Sequence, residues 1–324
     1  MDKLEEIRRP VEDDLKRYRE IFDAALTHEN PLIDSIFKGM KERRGKQMRP
    51  LLLLLAARAL GKPNRKSYIA AVMLEMLHTA SLVHDDIVDN ASERRGKTSV
   101  NAAYGNSTAV LVGDYLLSSA LEQATLTEDR RIVAYISRLG KQLASGELLQ
   151  SSKPADEALR EEAYYEVVRL KTASLFSAAA ELGAMSVDAA AGDVERMRQM
   201  GEYIGICFQI KDDILDYSGT PELGKPVGSD LTEGKLTLPL LLALKLHGDD
   251  RRRALACRVH DLKATPEEIA DLVDFMKRNG GVDAATAVIA DLSRRAVDLT
   301  LPIADDSVRR SLQSYISFVS ERNN

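Results

Sequence analysis

The sequence predicts an all-α protein, and three observations carry that prediction. Apolar residues recur at steps of three and four along most of the chain, with no alternating strand pattern. Glycine (19) and proline (10) are too sparse in 324 residues for a turn-rich sandwich or barrel. Hydrophobic residues at 44% and charged residues at 29% suit a globular chain that builds a core and not a disordered one. No linker, low-complexity tract or fixed-period repeat divides the chain, so a single domain over 1–324 is expected.

The elements follow in order. Leu4, Ile7, Val11, Leu15, Tyr18, Phe22 and Leu26 form a helical stripe, with Pro10 at a first-turn position or kink. Asn30-Pro31 reads as an N-cap followed by proline at the first helical position. The Leu/Ala-rich run from Pro50 to Leu60 stops at Gly61-Lys62-Pro63. Long apolar helices are expected over 67–90, 107–126, 128–150, 157–182 and 188–217. The stretch 218–237 contains Gly219, Pro221, Gly224, Pro226, Gly228 and Gly234, and reads as a loop, functional or disordered as loops of this length are. Shorter helices follow, one opened by the capping-type start Thr265-Pro266-Glu267-Glu268. The central helices are the most apolar and should be the most enclosed.

Composition excludes several roles. A net charge of −5 does not suit a nucleic-acid partner. Cys207 and Cys257 lie in no zinc spacing and cannot staple a chain this long. The charged start, Met1 to Glu6, has no signal-peptide core, and the apolar run Leu51 to Ala57 is far short of the roughly 18 residues of a membrane span. A cytoplasmic protein is expected.

Two acidic clusters carry the chemistry. Asp85-Asp86-Ile87-Val88-Asp89 closes one apolar helix, and Asp212-Asp213-Ile214-Leu215-Asp216 repeats the pattern. Positions i and i+4 share a helix face, so Asp85 lies with Asp89 and Asp212 with Asp216. Like charges at that spacing destabilise a helix, and flanking Leu82, Val83, Ile206, Phe208 and Ile210 add a desolvation penalty. A hard divalent cation with oxygen ligands would offset both, and Mg²⁺ fits best when substrate phosphates complete its shell. A solvated acidic patch is the bland alternative, which the repetition on two apolar helices argues against. Asp13-Asp14, Asp249-Asp250 and Asp305-Asp306 lack the fifth aspartate and read as surface or cap residues.

Cations accompany both clusters: Arg94 and Arg95 after the first, Lys225 and Lys235 after the second, Lys171-Thr172 on a small-residue helix, and Lys46 and Arg49 before Pro50. Each alone is as well read as a solvated side chain. Together they suit diphosphate binding.

The two DDxxD motifs have specific settings. The first directly follows Leu77-His78-Thr79-Ala80-Ser81-Leu82-Val83-His84, the second directly follows Phe208-Gln209-Ile210-Lys211, and after it come Gly224-Lys225-Pro226-Val227-Gly228-Ser229-Asp230-Leu231 and Gly234-Lys235-Leu236-Thr237-Leu238-Pro239. On these residues, from Gly45 to about Leu242, the chain resembles the trans-isoprenyl diphosphate synthases (polyprenyl synthetases), and within them the long-chain, octaprenyl-type branch. The resemblance implies an all-α isoprenoid-synthase bundle with a central cavity. It implies condensation of isopentenyl diphosphate head to tail onto an allylic diphosphate through an allylic cation. It places two Mg²⁺ ions on Asp85 and Asp89 and a third on Asp212, with Asp86, Asp213 and Asp216 behind them. It assigns Arg94, Lys171, Lys225 and Lys235 to the allylic diphosphate, and Lys46, Arg49, His78 and Arg95 to isopentenyl diphosphate. It sets Thr172 and Gln209 facing the cation, with Lys171 beside them as catalytic residues. Arg44 stands where the family commonly has the first of two glycines, which puts the shape of that loop in doubt. The lone His84 reads as a base or ligand or, better, as a helix-packing residue or one that stands behind the ligands.

The residues four and five before Asp85 govern product length in this family. Here they are the small Ser81 and Ala80, with Leu77 a turn back, and a long product of roughly C30 to C50 is implied, such as an octaprenyl quinone side-chain precursor. A short-chain farnesyl or geranylgeranyl synthase is the alternative. An inactive partner subunit would have lost the acidic motifs, and a terpene cyclase would have no use for Lys46, Arg49 and His78. The resemblance also implies a homodimer, with 107–120 as a candidate face. A long apolar product implies transient membrane contact at release.

Overall fold

A computed structural model describes residues 3–42, 45–94, 96–217 and 228–322. The helices are α1 (Lys3–Arg8), α2 (Glu12–Ala25), α3 (Pro31–Glu42), α4 (Met48–Leu60), α5 (Arg65–Val88), α6 (Val100–Tyr104), α7 (Asn106–Thr125), α8 (Arg130–Ser152) and α9 (Ala155–Ala158). They continue with α10 (Glu161–Val168), α11 (Ser174–Ser186), α12 (Ala191–Asp216), α13 (Ser229–Thr232), α14 (Leu238–His247), α15 (Asp250–His260), α16 (Pro266–Arg278), α17 (Gly281–Asp298) and α18 (Asp306–Glu321). The chain clusters into two compact units. One comprises Met1–Lys141, Leu175–Arg198 and Leu301–Leu312, the other Gln142–Ser174, Gln199–Thr300 and Gln313–Asn324.

In the first unit α4 is apolar all round, and Leu51 to Ala57 are wholly buried, as such a helix requires. Helix α5 packs along α4 and α7. It starts at Asn64, whose side chain accepts from the Lys66 amide while Ser67 Oγ accepts from the Asn64 amide. The same Asn64 and Ser67 bond Ser186 at the end of α11, tying two helix ends together. On α2 the stripe Leu15, Tyr18 and Phe22 is buried, and so is Asp14, which accepts from Arg58 (2.5 Å) and Tyr68 (2.9 Å). Pro10 falls in a 3₁₀ turn, Arg9–Val11, between α1 and α2. Asn30 caps α3 through Leu32 and Ile33.

In the second unit α14 is the enclosed helix, with Leu238 to Leu244 buried. Helices α15 and α16 pack beside it, with Tyr217, Leu255, Leu272 and Phe275 in one cluster. The Thr265 capping box forms as expected.

Three local expectations are corrected. A two-stranded ladder, β1 (Glu93–Arg94) with β2 (Lys97–Thr98), interrupts the helices, too short to leave a period in the sequence. The single helix expected over 157–182 is instead α9, α10, a π-helical turn Arg169–Ala173 and α11. The expected loop 218–237 contains α13, and its residues 218–227 lie outside the described residues.

Candidate active site

The first acidic cluster sits at the C-terminal end of α5. Asp89 closes the helix, its amide bonding the Asp85 carbonyl at 2.8 Å, and Asn90 follows in the left-handed region at φ 51°. Asp85 is half-buried and Asp89 exposed. Asp86 turns inward and is 3% exposed, accepting from Arg94 Nε at 2.6 Å. Its carbonyl accepts from Ala91 N and Asn101 Nδ2, so the β1–β2 hairpin folds back onto the helix end. Two like charges four apart already oppose the helix, and the negative end of its macrodipole adds to the penalty.

The candidate isopentenyl diphosphate residues divide. Lys46 is exposed, and Gln47 after it adopts φ 52°, held by Tyr18 OH (3.3 Å) and Arg19 Nε (3.4 Å). Arg49 lies in the first turn of α4 and reaches His78 Nε2 at 2.9 Å, its guanidinium 4.7 Å from the Phe176 ring centre. A guanidinium only donates, so His78 Nε2 is the acceptor of this bond. Gly45, Gln47, His78, Asp86 and Arg94 share the lining of a cavity of about 90 Å³. Arg95, Lys225 and Arg44 lie outside the described residues.

The residues assigned to chain length lie on one stretch of α5. Leu77 is 3% and Ala80 2% exposed, while Ser81 is half-buried with Oγ on the His78 carbonyl (2.9 Å). A Cβ on Gly140 of α8 would meet only Leu77 Cδ1, at 4.0 Å. His84 turns to α7, its Nε2 3.4 Å from Asp114 Oδ1, and a Cβ on Gly113 would fall 2.2 Å from that nitrogen. His84 thus lies against α7 at Gly113 with its ring end partly exposed.

The second cluster closes α12. Asp212 pairs with Arg322 Nη2 at 2.6 Å. Arg322 also stacks 3.7 Å from the Phe208 ring centre and donates to the Phe208 carbonyl. Asp213 is 1% exposed and accepts from Tyr164 OH (2.6 Å) and Gln209 Nε2 (2.9 Å). Burial pushes its carboxyl up to about 7, against those two bonds, which hold it down. Asp216 accepts from Ser229 Oγ (2.5 Å) and the Asp230 amide (3.2 Å), so α13 docks on it.

Lys171 and Thr172 ride the π-helical turn, a feature frequent at functional sites. Thr172 Oγ1 donates to Gln209 Oε1 at 2.7 Å, completing a chain from Thr172 through Gln209 to Asp213 and Tyr164. Lys171 Nζ lies 2.6 Å from Glu147 Oε2 and 3.2 Å from Gln150 Oε1. Lys235 Nζ bonds Glu233 Oε2 at 2.5 Å.

Sequence reasoning missed Arg322, Tyr164, Glu147, Gln150 and Asn101. None stands near an acidic motif in a telling pattern, except Asn101, seven residues past the arginine pair's first member.

Among the described residues no three His, Cys, Asp or Glu side chains form a ready metal cage. Each cluster instead presents two carboxylates four apart, a donor set of hard oxygens that suits Mg²⁺, an ion bound through one or two carboxylates plus phosphates and water.

Comparison with known proteins decides the family. The polyprenyl synthetase family profile matches residues 30–276. The chain belongs to the polyprenyl synthetase family. It is a prenyltransferase, and family members use Mg²⁺-dependent catalysis. It is 33% identical over 321 residues to the octaprenyl diphosphate synthase of Haemophilus influenzae, covering 99% of this chain and 97% of that protein. A polyprenyl synthase from Caulobacter crescentus, solved with calcium and isoprenyl diphosphate, superposes with TM-score 0.91 at 32% identity over 99% of this chain and 98% of that one. A geranylgeranyl pyrophosphate synthase from Bacteroides thetaiotaomicron superposes with TM-score 0.87 at 42% identity, covering 99% and 100%. The all-α isoprenoid-synthase fold expected from the sequence is the fold of this polyprenyl synthetase.

Proposed function

We propose that this polyprenyl synthetase extends an allylic diphosphate by 1′-4 condensation with isopentenyl diphosphate, as a single catalytic domain, to a long all-trans product of roughly C30 to C50. The observation that carries the long-chain reading is the pair of small side chains, Ala80 and Ser81, on the turn of α5 before the first acidic cluster. The relation to an octaprenyl diphosphate synthase along nearly the whole chain supports it. One observation favours a short-chain product, the 42% identity to a geranylgeranyl pyrophosphate synthase.

Asp85 and Asp89 would hold two Mg²⁺ ions and Asp212 a third, together with oxygens of the allylic diphosphate. When bound, Mg²⁺ neutralises charge on the departing diphosphate. The calcium and isoprenyl diphosphate bound by the Caulobacter polyprenyl synthase support a divalent cation in this role. Asp86, Asp213 and Asp216 orient the ligating side chains through the bonds to Arg94, Tyr164, Gln209 and Ser229. Arg94, Lys171, Lys225 and Lys235 bind the allylic diphosphate, and preorganised cations at a leaving group lower the barrier to ionisation. Lys46, Arg49, His78 and Arg95 bind isopentenyl diphosphate. Thr172 and Gln209 turn oxygen lone pairs to the allylic cation, and the departing diphosphate takes the proton.

Homodimerisation is part of the proposal. Leu111 (68% exposed), Val110 (42%), Tyr115 (38%) and Leu121 (38%) leave an apolar face on α7 that a second copy would cover. No helix among the described residues is long and apolar enough to cross a membrane. A cytoplasmic location, with membrane contact only as the apolar product leaves, belongs to the same proposal. Purified protein with Mg²⁺, labelled isopentenyl diphosphate and geranyl, farnesyl or geranylgeranyl primers tests the reading. Products longer than C25 support it, termination at C15 or C20 gives the short-chain enzyme, and no elongation with any primer rejects both.

A further inference from the structure

Two side chains from α8 hold Lys171 on its π-helical turn. Glu147 and Gln150 are three residues apart, so they project from one face of the helix onto the same ammonium. The Lys171–Glu147 pair is about three-quarters buried, with side chains 27% and 26% exposed. Gly146 sets the approach. A Cβ there would lie 2.9 Å from Leu170 Cβ and 3.0 Å from the Lys171 amide nitrogen, so α8 reaches this turn only through a glycine.

We propose that Glu147 is a positioning residue for Lys171 whose charge limits how tightly the enzyme holds a diphosphate. This rests on the reading of Lys171 as a ligand of the allylic diphosphate. An ammonium has three N–H donors. Glu147 and Gln150 take two of them and leave the third for a phosphate oxygen. The carboxylate fixes the direction of that third donor and offsets part of the positive charge behind it. Fixed direction favours the chemical step. The offset charge favours loss of pyrophosphate, which must leave after every addition in a chain-elongating enzyme.

Glu147→Gln keeps shape and an acceptor oxygen while removing the charge. The Michaelis constant for farnesyl diphosphate and the inhibition constant of inorganic pyrophosphate should each fall roughly three- to ten-fold, the scale of one unit charge at a partly exposed site. Turnover should fall with them as pyrophosphate leaves more slowly. Glu147→Asp retains the charge and should restore both constants towards the original values. Unchanged constants in Glu147→Gln overturn the proposal. Equal losses in both variants that follow a lowered melting temperature also overturn it, since they mark a purely structural role. Lys171→Gln separates the two readings. If it leaves the farnesyl diphosphate constant unchanged, the diphosphate role of Lys171 is wrong. If it raises that constant while Glu147→Gln does not lower it, only the role of Glu147 is wrong.

Discussion

Thr172 and Gln209 fix one another through a 2.7 Å bond, and Gln209 is in turn fixed by buried Asp213. Thr172→Val keeps the volume and removes the hydroxyl bonded to Gln209, so turnover should drop about ten- to a hundred-fold, the range of one lost polar contact, with only a small fall in melting temperature. Equal turnover would remove Thr172 from the chemistry. A second residue-scale prediction concerns pH. Glu181 is half-buried on α11, and burial raises its carboxyl above the ordinary 4.5 although Tyr135 OH donates to it at 2.8 Å. The folded state then binds this proton more tightly than the unfolded chain. Its contribution to stability is full below about pH 4.5 and is lost as pH rises through the folded value. Glu181→Gln should flatten urea-unfolding stability over that interval, and an identical slope in both proteins would refute the assignment.

At the scale of elements, close helix contacts depend on residues without side chains. A Cβ on Gly183 would lie 2.3 Å from the Leu53 carbonyl oxygen and 2.9 Å from Ala56 Cβ, so α11 packs backbone to backbone on α4. Gly183→Ala should lower unfolding stability by about 1–3 kcal/mol, measured by denaturant titration, because a well-packed core resists added volume. The small-residue run on α11 was legible as helix, but its partner was not. The π-helical turn was not legible either. Its extra residue leaves the apolar period of the neighbouring turns almost unchanged, so a continuous helix was the natural expectation over 157–182. The opposite holds for α3 and α16, whose starts are set by Asn30 and Thr265 within four residues of chain, whereas the Asn64 cap of α5 precedes the expected start at Ser67.

For the whole molecule, product length and assembly are the testable properties. Ala80 is 2% exposed on α5, so a phenylalanine there adds volume where the proposed function has the product chain grow. Ala80→Phe should shorten the product by at least one isoprene unit in chromatographic sizing while activity on a short primer persists. Unchanged length would dismiss the role of this stretch. Leu111→Glu on the apolar face of α7 should convert a dimer to a monomer in sedimentation, since an exposed leucine tolerates charge unless a partner covers it.

The sequence by itself determined the helical class, the starts of α3, α14 and α16 and the two aspartate stripes, because capping and the 3.6-residue period act between neighbours. It also showed that Asp85 shares a face with Asp89. Only the tertiary structure decided that Asp86 is sealed by Arg94, that Lys171 is held by Glu147 and Gln150, and that Arg322 settles on Phe208, 114 positions earlier. Those partners are chosen by how helices pack, and packing brings together side chains whose separation along the chain carries no signal.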